Sequence, residues 1–196
     1  MRELEIIVKP LSPQLIKDFL HFFDKVAFTD NPDWSGCYCQ FYHFPGSMKE
    51  WGEITKKQNR NASEKLILEE KMNGLLAYVN DQPVGWCNVN SKKNYSKILY
   101  EDEFEEDAND KIASIVCFVI SPRFRKKGIA RLLLQKAIIN LRENGFKWLE
   151  SYPRKGELSD AHSYHGPVSL FSSEGFFVVN ETDVSMVMLR NLTIDI

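Results

Sequence analysis

The segment Cys117-Phe-Val-Ile-Ser-Pro-Arg-Phe-Arg-Lys-Lys-Gly-Ile-Ala-Arg-Leu-Leu133 decides the fold. The apolar run Ile115 to Ile120 stops at Ser121-Pro122. Arg123, Arg125, Lys126, Lys127 and Arg131 then crowd around a single glycine, Gly128. Beyond it Leu132, Leu133, Leu134, Ala137 and Ile138 follow a helical pattern. This is a strand, a basic turn and an amphipathic helix. A helix N-terminus leaves backbone N–H groups without intrahelical partners at the positive end of its dipole. A strand running into it is an anion site. Gly128 removes the side chain where a phosphate would approach the backbone. The matching ligand is a small polyanion such as a pyrophosphate. The alternative is a solvated basic helix start, and the charges alone do not choose.

The rest of the chain limits the setting. Its 196 residues carry a net charge of -2 and are 43% hydrophobic, enough for a core and against a general nucleic-acid coat. No run approaches the roughly 20 apolar residues of a membrane span. The N-terminus MRELEIIVKP lacks the features of a secretory signal. With Cys37, Cys39, Cys87 and Cys117, two of them in apolar strand-like segments, the expectation is reduced thiols in a cytoplasm.

The pattern predicts strands over Glu3–Lys9, Leu75–Val79, Val84–Val89, Ala113–Ile120, Lys147–Tyr152, Phe176–Val179 and Val184–Arg190. It predicts helices from the Ser12 cap to about Lys25, near Met48–Lys57, over Ala62–Met72 with Asn61 as cap, over Lys127–Asn144, and a short one over Pro167–Ser173. Asn94 to Lys111 is acidic and reads as a solvated connection able to attract a cationic substrate. Elements in this order suggest α+β or α/β with one mixed sheet.

Both G-x-G-x-x-G and G-x-x-x-x-G-K-[ST] are absent from the basic turn. What stands there, Arg125-Lys-Lys-Gly128-Ile-Ala130, resembles the R/Q-x-x-G-x-G/A signature of the GNAT superfamily of N-acetyltransferases. The likeness extends from Ile120-Ser-Pro122 to Leu133-Leu134. Leu170-Phe-Ser-Ser-Glu-Gly175-Phe176 is similar to the family's L-Y-x-x-x-G-F, and Pro83-Val-Gly85-Trp86 to its preceding strand pair. The resemblance covers about Leu75 to Arg190, with the motifs in the family's order.

The resemblance implies a single GNAT domain over residues 1–196. Residues 1–73 would supply the acceptor side and 74–196 the acetyl-CoA core. Its sheet would be mixed and mainly antiparallel, with strands splayed at the CoA site. Backbone from Arg125 through Lys126, Lys127, Gly128 and Ile129 to Ala130, with Arg131 beside it, would hold the pyrophosphate. Backbone of Phe118 and Ile120 would meet pantetheine, with Phe171 nearby. An amine of a small molecule or protein would attack the thioester directly. No metal, nucleic acid or membrane is implied, and a homodimer is left open.

Acid–base groups are less legible. Phe171 stands where the family often has an acidic tyrosine, so Tyr164 is the candidate acid, with His165 beside it. That phenylalanine also keeps open a non-catalytic acyl-CoA-binding regulator. Glu150, alternating with Trp148 and Tyr152, is the candidate base through partial burial. The loop Trp34-Ser-Gly-Cys37-Tyr-Cys39-Gln-Phe-Tyr42-His43 supplies acceptor-wall candidates Trp34, Cys37, Cys39 and Tyr42. The resemblance extends to a bacterial subgroup with such a Cys-x-Cys loop. A metal held by Cys37, Cys39, His43 and Cys87 lacks the usual C-x-x-C spacing. A Cys37–Cys39 disulfide would be strained.

Overall fold

Among the described residues, seven strands pair edge to edge in the order β1-β2-β3-β4-β5-β7-β6. They are β1 (Ile7–Pro10), β2 (Gly74–Val79), β3 (Gln82–Ser91), β4 (Ile112–Ile120), β5 (Trp148–Ser151), β6 (Phe177–Glu181) and β7 (Met186–Asn191). This computed structural model describes residues 5–98, 111–156 and 163–194. The predicted acidic stretch from Glu101 to Asp110 lies outside them. Every pairing is antiparallel except β4 with β5. The fold is the mixed, mainly antiparallel sheet flanked by helices that the sequence implied.

Strand alternation sends side chains to two faces. One face carries Leu75, Ala77, Val84, Cys87, Ile115 and Leu149 against α4 (Ile129–Glu143). That helix buries Ile129, Leu133, Leu134, Ala137, Ile138 and Leu141, one stripe at helical spacing. The other face carries Leu76, Tyr78, Trp86, Val116 and Val119 against the N-terminal helices.

Those helices depart from the simple reading. In place of one helix from Ser12 to Lys25, the chain forms a 3-10 turn at Pro13–Leu15, α1 at Ile16–His21 and a π turn at Phe22–Val26. Phe19, Phe22 and Phe23 are all buried, which the wider π turn accommodates on one side. After α2 (Met48–Glu53), α3 runs from Lys56 to Leu68. It begins before the expected Asn61 cap because Thr55 and Gln58 form a reciprocal capping box. A short α5 (Val168–Ser173) precedes β6.

Two features open the sheet. Asn88 pairs with Cys117 and Val89 with Ile115, so Val116 is an extra residue that bulges β4. The β4–β5 ladder covers only Ile112–Ile115 against Trp148–Ser151, while β4 continues to Ile120. Past the bulge, the β5-facing edge of β4 therefore has no ladder partner among the described residues.

Candidate active site

That unladdered edge leads into the basic turn. Lys126 and Gly128 both take positive φ, 58° and 80°. A Cβ built on Gly128 would meet nothing within 4 Å, so the space above the turn is open. Gly128 starts α4 without a side-chain cap, and the first helical bond is Leu132 N–H to Gly128 O at 3.0 Å. The N–H groups before it lack intrahelical acceptors, as at any helix start. Backbone curled through left-handed residues gathers such groups into an anion-binding concavity.

The turn lies on a cavity of about 1700 Å³. Its wall takes in Cys117 to Ile120 of β4 and, of the basic segment, Arg125, Lys126 and Gly128 to Arg131. The lining also includes the aromatic side chains Trp34, Phe41, Tyr42, Trp51 and Tyr164. One continuous cavity thus joins an anion-binding turn, a free strand edge and an aromatic chamber. This fits a long ligand with a diphosphate at one end and amides along its length, which is the shape and chemistry of CoA.

The expected residues divide. Phe118, Ile120, Arg125, Lys126, Gly128, Ile129, Ala130 and Arg131 line the cavity, as do Trp34, Cys37, Cys39, Tyr42 and Tyr164. Lys127 does not; its ammonium sits 5.0 Å from the Phe124 ring centre. Phe171 does not either. Its ring is wholly buried against Phe118 and Phe176, so position 171 is core packing.

Glu150 is also away from the cavity wall. It is fully buried rather than partly so, and Lys92 Nζ lies 3.0 Å from its Oε2. Tyr152 Oη donates to the same oxygen at 2.6 Å. The expectation of a poised base rested on partial burial among aromatics. Lys92, brought over from the end of β3, supplies a counter-charge that the strand pattern did not reveal.

Tyr164 is half-buried, with its ring 6.0 Å from Trp34 and 4.2 Å from His165. The Tyr42 hydroxyl is hydrogen-bonded to His165 Nε2 at 3.3 Å. Burial raises both phenols, so both hold their protons at neutral pH. Burial, assisted by nearby Arg154, lowers His165 to about 4, and it stays neutral. Burial pushes the Cys37 thiol up to about 12.

Several residues at the site went unrecognised in the sequence. Asp30 lines the cavity and binds Arg125. Arg154 lies over the Tyr164 ring. Asn88 is fully buried and joins Cys39, His43 and Tyr95. A polar amide inside the apolar strand Val84–Val89 was the visible sign for Asn88; Asp30 carried none. Among the described residues, no group of three or more His, Cys, Asp or Glu is arranged to hold a metal ion. No helix there is long and apolar enough to cross a membrane.

Known proteins agree with this geometry. The PaiA N-acetyltransferase of Thermoplasma acidophilum, solved with coenzyme A, superposes with a TM-score of 0.54 at 15% identity, covering 96% of this chain and 99% of its own. YncA of Salmonella typhimurium, solved with acetyl-CoA, gives 0.51 at 13%, covering 95% and 94%. The ribosomal-protein-S18-alanine N-acetyltransferase of Escherichia coli gives 0.51 at 14%, covering 97% and 96%. At such identities the likeness speaks for the fold alone. No curated protein matches in sequence. The model of the acetyltransferase (GNAT) family matches residues 33–164, a span that holds the aromatic loop, the bulged strand, the basic turn and Tyr164. With the motifs, the fold and the family model in accord over most of its length, the chain belongs to the GNAT acetyltransferase family and is an acetyltransferase.

Proposed function

We propose that this chain transfers the acetyl group of acetyl-CoA to a primary amine, by direct attack while both substrates are bound. The observation that carries the reading is the open, uncapped start of α4 at Gly128, facing the same cavity as the free edge of β4. The backbone N–H groups there bind the diphosphate, with Lys126 and Arg131 adding charge. Backbone of Phe118 and Ile120 pairs with the pantetheine amides. The Ile120 carbonyl already accepts from Arg125 Nε at 3.2 Å, which leaves it one lone pair. Acetyl-CoA supplies an activated thioester, so no covalent enzyme intermediate is required.

The aromatic wall receives the acceptor. Faces of Trp34, Tyr42 and Tyr164 attract an ammonium, and Asp33 adds a carboxylate to the lining. The acceptor is a small molecule or an exposed protein amine. Tyr164 is the group assigned to protonate the leaving thiolate: it is a phenol kept protonated by burial, on the cavity wall. Water in the cavity takes the proton of the attacking amine.

Calorimetric titration of acetyl-CoA into CoA-free protein and into folded Gly128→Glu tests the reading. Micromolar binding by wild type and none by the variant is the expected result. No binding by folded wild type would overturn it.

A further inference from the structure

The basic side chains on the cavity lining are not equally engaged. Arg125 is paired with Asp30, Arg131 with Glu174 at 3.2 Å and Lys155 with Glu181 at 3.1 Å. Lys56 Nζ donates to Ser35 Oγ at 3.0 Å. Lys126 belongs to the turn that takes the diphosphate. Arg154 follows β5 instead, and it too lines the cavity. Its guanidinium has no ion pair or hydrogen bond among the described residues.

Arg154 stands on a fixed segment. Its backbone bridges Ser185 in the antiparallel sense. On either side of it, Met186 N–H donates to Pro153 O and Lys155 N–H to Val184 O, both at 2.9 Å. The chain after β5 is thereby tied to the start of β7. The guanidinium carbon lies over the Tyr164 ring, 5.8 Å from its centre. Stacking occupies a face of the guanidinium and leaves the N–H donors on its rim open. The Tyr164 ring is in turn 6.0 Å from Trp34. Asp33, next to Trp34 in the chain, adds a carboxylate to the same lining. An unpaired guanidinium with an open rim matches a carboxylate, which it grips with two parallel hydrogen bonds. A phosphate dianion would call for a second unpaired cation, and neighbouring Lys155 is held by Glu181.

We propose that Arg154 binds the carboxylate of an acceptor that carries its primary amine in the same small molecule, as an amino acid does. The inference rests on the acetyl-transfer reading above and narrows its acceptor. The carboxylate sits on the rim of Arg154, and the ammonium is drawn by Asp33 and the aromatic faces. An apolar side chain meets Trp34, Phe41 and Trp51 on the lining. In the transfer the nitrogen bonds to the acetyl carbon and the C–S bond breaks. The ammonium loses two protons in all: one ends on the CoA thiol by way of Tyr164, the other in water. The N-acetyl product keeps its carboxylate but has lost the charge that Asp33 attracts, which favours its release.

The test assays the common amino acids and their carboxamides as matched pairs, reading CoA release with acetyl-CoA and correcting rates for the free-amine fraction. Wild type, Arg154→Gln and Arg154→Lys are compared, with calorimetric acetyl-CoA binding on the same samples. At least one amino acid should exceed its amide in kcat/KM by about tenfold or more. Arg154→Gln should bring that amino acid down to the level of its amide, chiefly through KM, and Arg154→Lys should keep part of the preference. Amides accepted as well as acids by wild type, or a preference that survives Arg154→Gln, would overturn the proposal and leave acetyl transfer standing. Acetyl-CoA affinity lost in Arg154→Gln would assign the guanidinium to the cofactor and overturn it too. No amine turned over by wild type that binds acetyl-CoA would overturn the acetyl-transfer reading, and this proposal with it. The wild-type pairs decide by themselves if a variant fails to fold.

Discussion

Arg125 grips Asp30 with both terminal nitrogens, Nη1 to Oδ2 at 2.5 Å and Nη2 to Oδ1 at 3.2 Å. The pair joins the basic turn to the start of the aromatic loop, two segments 95 residues apart. The guanidinium expected to serve an incoming diphosphate is thus already engaged by a carboxylate. The Arg125 hydrogen bond holds Asp30 below its ordinary value.

Asp30→Asn should cost less than about 1 kcal/mol, because the pair is solvent-exposed and screened. With the folded value depressed, the contribution is present above the unfolded carboxylate value, near 3.9, and is lost as pH falls through the folded one. Urea unfolding at pH 7 in low and high salt checks this: the gap between wild type and Asn should shrink with salt.

Gly128→Ala separates backbone strain from charge. The added methyl meets no atom, but φ of 80° is costly for alanine. Stability should fall by about 1 kcal/mol. Acetyl-CoA affinity should fall far less than in Gly128→Glu, as read by thermal unfolding and calorimetry on the same samples.

Glu150 and Lys92 form a pair with side-chain exposures of only 1% and 12%. Removing one member of a buried pair costs about 3–5 kcal/mol. Glu150→Gln should therefore reduce unfolding free energy strongly and leave kcat per folded molecule unchanged. A lost kcat with retained stability would return the role of base to Glu150.

His43 and His165 are both held neutral, at about 4, with burial the main cause. An unfolded histidine titrates near 6.5. Between these values the unfolded chain binds more protons, so stability rises with pH. It should be full above about pH 6.5 and fall steadily toward pH 4. Denaturant midpoints at pH 5 and 7 should differ accordingly, and less in His165→Asn.

Tyr164→Phe removes the assigned acid and keeps the ring. kcat should drop by about 10²-fold or more. The dissociation constant of acetyl-CoA, measured by calorimetry, should not change. An unaltered kcat would remove Tyr164 from the chemistry.

The sequence alone determined the strand–turn–helix at Ile115 to Leu134, the order of the motifs and most strands. Those signals are local: an apolar run, Ser121-Pro122, one glycine and a helical repeat act within a few residues of each other. Even locally, competing chemistry misled the reading at Asn61, where the Thr55–Gln58 box starts α3 earlier. The identities of partners were decided by tertiary structure alone. Glu150 is neutralised by Lys92, 58 residues away. Phe171 is absorbed into the core. Each depends on which strand lies beside which and where β4 bulges, and these long-range pairings leave no periodicity in the chain.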